Sequence, residues 1–118
     1  MSPSLLDFLN HIEHECSYLV HLQEGKTRAQ LLDDETISKA IVRSLEIIGE
    51  ATKKLDDDFK LQYSQIEWKK IAGTRDMMIH HYFGIDYEIV WSIITEKIPD
   101  LQRYIQEIIS AQSAKGRR

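Results

Sequence analysis

The sequence predicts an all-α protein, an up-and-down helical bundle of four to five helices forming one domain over residues 1–118. Three observations lead there. Apolar residues recur at three- and four-residue spacings, no stretch alternates with the period of two that a half-buried strand needs, and glycine (5) and proline (2) are sparse. A chain of 118 residues is long enough for one core and too short for two.

The first helix is expected from Leu5 to Leu22, with Leu5, Leu6, Leu9, Ile12, Cys16, Leu19 and Val20 on its apolar face and Ser2 or Ser4 as its cap. Gly25 ends it. Thr27 followed by Gln30 has the pattern of a capping box for a short turn through Leu32. Asp33 or Asp34 then caps a long helix from Glu35 to about Leu55, whose stripe of Ile37, Ala40, Ile41, Leu45, Ile48, Ala51 and Leu55 is widened by Val42 and Ile47. Asp56, Asp57 and Asp58 read as a solvated loop, and Ser64 with Glu67 as a second capping box opening a helix that carries Ile66, Trp68 and Ile71. Gly73 is expected to interrupt before the next helix. Asp86 caps the last one, which runs to about Ala111 with Ile89, Val90, Ile93, Ile94, Leu101, Ile105 and Ile108 inward. Pro99 lacks a donor and crowds the preceding turn, so this helix is kinked there or is two abutting helices, the second beginning at Asp100 and Leu101. Residues from about 112 to 118 form a frayed tail.

The formal net charge of −4 argues against broad non-specific nucleic-acid binding, so any RNA contact has to be local. Candidate basic clusters are Lys53 with Lys54, Lys69 with Lys70, and Lys115, Arg117 and Arg118; the bland reading of each is a solvated surface. No run of 18 apolar residues exists, and Asp7 arrives before the apolar core of a signal peptide can build, so no membrane association and a cytoplasmic location are expected. The lone Cys16 reads as a small buried hydrophobe. His11, His14 and His21 skip the four-residue step that closes two histidines on one ion, so no metal and no cofactor is expected. Glu46 and Glu50 resemble paired catalytic carboxylates, but Glu50 beside Lys53 and Lys54 suits an ordinary helix ion pair.

One octet stands apart: Arg75, Asp76, Met77, Met78, Ile79, His80, His81, Tyr82. A guanidinium holds phosphate with a planar fork of donors and an imidazole moves protons near neutral pH, a pair suited to phosphodiester cleavage without metal. The competing reading makes Arg75 and Asp76 a surface ion pair, the histidines a cap or contact, and Tyr82 a packing residue. On a regular helix Arg75 and Tyr82 point the same way, whereas His80 is turned by roughly 140° from Arg75. One straight helix cannot aim all three at a single atom. Either the helix loosens near His80, or the groups converge across a two-fold interface with a second copy, the arrangement favoured here.

The run Ile47, Ile48, Gly49, Glu50, Ala51, the stretch Trp68, Lys69, Lys70, Ile71, Ala72, Gly73 leading into Arg75 and Asp76, and the sequence from His80 to Asp86 resemble the HepT toxins of the HEPN superfamily. The resemblance covers roughly Leu5 to Ile109. The family signature of Arg, a polar residue, His, any residue and Tyr falls on Arg75, Asp76, His80 and Tyr82, with Asp76 where Asn is usual. What the resemblance implies is a HEPN-like bundle and a metal-independent endoribonuclease toxin of a type VII-like toxin-antitoxin system, a homodimer with its cleft between protomers. It further implies a nucleotidyltransferase antitoxin partner of the MntA type that neutralises the toxin by AMPylation of Tyr82. On that reading Arg75 and His80 are catalytic, Asp76 supports them, and Tyr82 positions phosphate and accepts the modification. The alternative is a non-catalytic helical module that docks the nucleotidyltransferase.

Overall fold

The computed structural model describes residues 4–80 and 84–115, apart from the side chains of residues 79, 80 and 115. Its elements are α1 (Leu5–Gln23), α2 (Arg28–Leu32), α3 (Glu35–Lys53), α4 (Asp57–Gln62), α5 (Trp68–His80), α6 (Tyr87–Ser92), a π-helical turn (Ile93–Lys97) and α7 (Ile98–Lys115). All are helical, and no strand occurs among the described residues.

Short polar side chains start these helices by accepting amide hydrogen bonds that helix geometry leaves over. Ser4 Oγ accepts from Asp7 N at 3.2 Å while Asp7 Oδ2 accepts from Ser4 N at 2.9 Å, and Thr27 and Gln30 make the same reciprocal box at 3.2 and 2.8 Å. Asp34, Asp56 and Asp86 cap α3, α4 and α6 in turn. Gly25, at φ +69°, supplies the left-handed residue that turns the chain after α1.

The bundle order follows from which faces are apolar. Leu9, Ile12, Cys16 and Leu19 of α1 are fully buried, and α1 packs on both α3 and α7, while α5 packs on α3. Contacts thus run from α5 to α3, from α3 to α1 and from α1 to α7, with Ile41, Leu45 and Ile48 of α3 and Leu101, Ile105 and Ile108 of α7 in the common core. Burial pushes the Cys16 thiol up, with Glu13 and Glu15 adding to the effect, so it acts as packing and not as a nucleophile. Residues from Tyr87 to Lys115 form one continuous helical run of roughly 43 Å at the usual rise per residue, which accounts for the 49 Å long axis.

Four local expectations are corrected. The acidic run is not a loop: Asp56 accepts from Phe59 N at 2.8 Å and opens α4, where burial of Phe59 and the favourable placing of Asp57 and Asp58 in the first turn stabilise a short helix. Ser64 does not cap α5, which begins at Trp68. The chain turns first, with Trp68 Nε1 donating to Tyr63 O at 3.0 Å and the Phe59 ring 5.9 Å from the Trp68 ring, so that Ile66 and Trp68 are both buried. Gly73 lies inside α5 without breaking it.

The interruption expected near Pro99 takes the form of the π turn, and the second α-helical segment begins at Ile98 instead of Asp100. Ile98 N donates to Ile93 O, and Pro99 follows as the second residue of α7. In the widened register the Ile94 carbonyl would next meet Pro99 N, which carries no hydrogen. Gln23 Nε2, from the end of α1, donates to that carbonyl at 2.7 Å and satisfies it. No described helix is long and apolar enough to cross a membrane.

Candidate active site

Arg75 is placed by the crossing of α5 over α3. Gly49 is buried on α3 directly beneath it, and a Cβ built there would lie 2.6 Å from Arg75 Cβ and 2.9 Å from Arg75 N. Only a residue without a side chain permits this approach, so Gly49 sets where the Arg75 backbone sits. Four residues on, at the end of α3, Lys53 Nζ donates to Asp76 Oδ1 at 2.8 Å. Arg75 Nη1 donates to the same oxygen at 3.5 Å. One carboxylate therefore faces two cations, leaving local positive charge on a chain whose formal net charge is −4. The side chains of Arg75, Lys53 and Asp76 are 34%, 39% and 48% exposed, open enough to meet a ligand.

The neighbours of this trio are structural. Met78 is buried at 2% and Met77 is partly buried against the core, as packing residues should be. Lys53 reaches across to α5 and not along its own helix to Glu50, while Glu46 takes its ion pair from Arg43 at 3.3 Å. Lys70 is engaged by Glu67 at 2.7 Å, which weakens Lys69 and Lys70 as a basic cluster. No group of three or more His, Cys, Asp or Glu side chains among the described residues could hold a metal ion. His21 donates from Nδ1 to Ser17 O at 2.7 Å on its own helix.

Of the expected site residues, the structure brings Arg75 and Asp76 together. His80 closes α5, which remains α-helical up to it, so the backbone directions at Arg75 and His80 diverge by roughly 140°. The His80 imidazole and all of His81 and Tyr82 lie outside the described residues. A groove of about 570 Å³ opens between α5 and the last helix, lined by Ile71 and Met77 among others, but Arg75 and Asp76 do not line it. Gly49 stood out in the sequence only within the run Ile47 to Ala51, and Lys53 only as a basic neighbour of Lys54; neither was linked to Arg75 or Asp76. A glycine inside a long amphipathic helix is itself a sign of close backbone approach, whereas nothing local marks Lys53 as a partner of Asp76.

A family model described as HepT-like, ribonuclease HepT-like, matches residues 12–108. A relative from Caldanaerobacter subterraneus subsp. tengcongensis, provisionally named an RNase, is 42% identical over 105 residues, 89% of this chain and 94% of its own. Another provisionally named RNase, from Methanocaldococcus jannaschii, is 44% identical over 102 residues, 86% of this chain and 84% of its own. A protein of Thermococcus cleftensis named "Probable ribonuclease HepT" is 33% identical over 108 residues, 92% of this chain and 98% of its own. No solved structure matches the chain. With a model match that runs from α1 into α7 and takes in both Arg75 and the α3 residues that seat it, the chain belongs to the HepT-like ribonuclease family.

Proposed function

We propose that this protein is a cytoplasmic, metal-independent endoribonuclease that acts as a homodimer, the toxin component of a type VII-like toxin-antitoxin system. The observation that carries the reading is the family match across residues 12–108, which includes the whole octet from Arg75 to Tyr82. The divergence of Arg75 and His80 on one regular helix favours a cleft shared by two copies, where two arginines and two histidines face one RNA strand.

Within that cleft, one His80 imidazole takes the proton of a ribose 2′-hydroxyl. The 2′-oxygen attacks the adjacent phosphorus, the bond to the 5′-oxygen breaks, and the imidazolium of the second copy supplies that leaving oxygen with its proton. Arg75 stabilises the charge on the five-coordinate phosphorus, and Asp76 orients Arg75. The products are a 2′,3′-cyclic phosphate and a 5′-hydroxyl. Tyr82 positions the scissile phosphate. Its phenol oxygen is also the acceptor through which an MntA-type nucleotidyltransferase antitoxin silences the toxin: the oxygen attacks the α-phosphate of ATP, the phenol proton is lost and pyrophosphate departs. The added AMP fills the cleft and repels RNA by its charge.

The test is cleavage of total RNA in the presence of EDTA by wild type, Arg75→Ala and His80→Ala. Cleavage by wild type alone, leaving cyclic phosphate ends, is expected. Persistence in both variants removes the site assignment, and no cleavage by any form favours a non-catalytic module. Intact mass after incubation with the antitoxin and ATP should show AMP added to wild type and not to Tyr82→Phe; an unchanged mass rejects the modification.

A further inference from the structure

We propose that Lys53 is a second phosphate-binding cation of this site, holding a phosphate of single-stranded RNA next to the one engaged by Arg75, with Asp76 anchoring both. The inference rests on the ribonuclease reading and extends it to a residue on a different helix. Lys53 Nζ and Arg75 Nη1 converge on the same oxygen of Asp76, at 2.8 and 3.5 Å. An ammonium has three donors and a guanidinium five, so the bonds to Asp76 leave donors on both for a second anion. The contact with Gly49 brings the α3 and α5 backbones together one helical turn before Lys53, which places its stem beside the Arg75 site rather than out in solvent.

As a structural ion pair the Lys53 contact would contribute little, because both side chains are 39% or more exposed. As an RNA contact it has a distinct consequence. Carboxylate anchoring restricts the ammonium to the edge of the site, and two adjacent cations match the repeating charge of a phosphate backbone better than one.

Salt dependence of binding separates the two roles. The probe is a short 2′-O-methyl uridine oligomer in EDTA, which lacks the attacking hydroxyl and is bound without being cleaved. For wild type, Kd rises with salt. Lys53→Met is expected to flatten the slope of log Kd against log salt by about 0.7, the value for one single-strand phosphate, and to weaken binding about eightfold at low salt, near 50 mM. Lys53→Arg keeps the wild-type slope. Lys39→Met, which removes an equal charge from the other end of α3 where Lys39 pairs with Glu35, also keeps it. A wild-type slope in Lys53→Met, an equal flattening in Lys39→Met, or a Met-like loss in Lys53→Arg overturns the assignment of Lys53 while leaving the ribonuclease reading intact. Absence of salt-dependent binding by the wild type overturns that reading and this inference with it.

Discussion

Replacing Gly49 with alanine tests whether close approach of α3 and α5 seats Arg75. The added Cβ would stand 2.6 Å from Arg75 Cβ, and ordinary contact begins at 3.4 Å, so α5 must retreat by about 0.8 Å at that point. The obstructing atoms are the Cβ and backbone nitrogen of Arg75, which no side-chain rotation can move. Overpacking of this kind costs about 1–3 kcal/mol, against a gain of about 1 kcal/mol for alanine over glycine in a helix. A net loss of up to about 2 kcal/mol follows, and for a domain of 118 residues this lowers Tm by up to about 8 °C. Gly73→Ala is the matched control on α5, because nothing lies within 4 Å of the new Cβ. It should raise stability by about 0.5–1 kcal/mol, or Tm by about 2–4 °C. Differential scanning calorimetry of both variants decides the matter. If Gly49→Ala stabilises the fold as Gly73→Ala does, α3 does not constrain α5 and the account of Arg75 placement is refuted. On the proposed function, displacement of Arg75 by nearly an ångström also lowers RNA cleavage, by up to about a hundredfold.

Two further outcomes concern the scaffold. Gln23→Met strands the Ile94 carbonyl and should cost about 1–2 kcal/mol in chemical denaturation; in a Pro99→Ala background, where position 99 regains a donor, the cost should shrink, and an equal cost in both backgrounds contradicts the account of the π turn. Asp7 is held below the ordinary value of 3.8 chiefly by the Ser4 amide, then by the Ser4 hydroxyl. Its support of the α1 cap is therefore fully present above that value and fades as pH falls through the lowered one, so a carboxyl titration by NMR should give a midpoint below 3.8, and one at or above it contradicts the capping box.

Much of the fold was legible because its signals are local. Thr27 and Asp86 cap the helices that sequence spacing assigned to them, and Ser4 and Asp34 are the caps among the pairs Ser2 or Ser4 and Asp33 or Asp34, since a short polar side chain before an apolar repeat has one dominant use. Misreadings arose where tertiary burial outweighed local preference. Gly73 looked like a break, yet the helix cost of one glycine is about 1 kcal/mol and α5 lies packed along α3. Ser64 looked like a cap, yet burying both Ile66 and Trp68 requires a turn before the helix begins. In the site, Arg75 and Asp76 were legible as residue types within a short motif. Lys53 was legible as half of a basic pair with Lys54 but not as a partner of Asp76, because that link joins α3 to α5 across 23 residues of sequence and depends on the clearance at Gly49.

RNA cleavage by the purified protein in EDTA, with the product ends identified, tests the central claim most directly. The account predicts 2′,3′-cyclic phosphate and 5′-hydroxyl ends from wild type and loss of cleavage in both Arg75→Ala and His80→Ala. Cleavage abolished by EDTA, or retained by either variant at the wild-type rate, would contradict it.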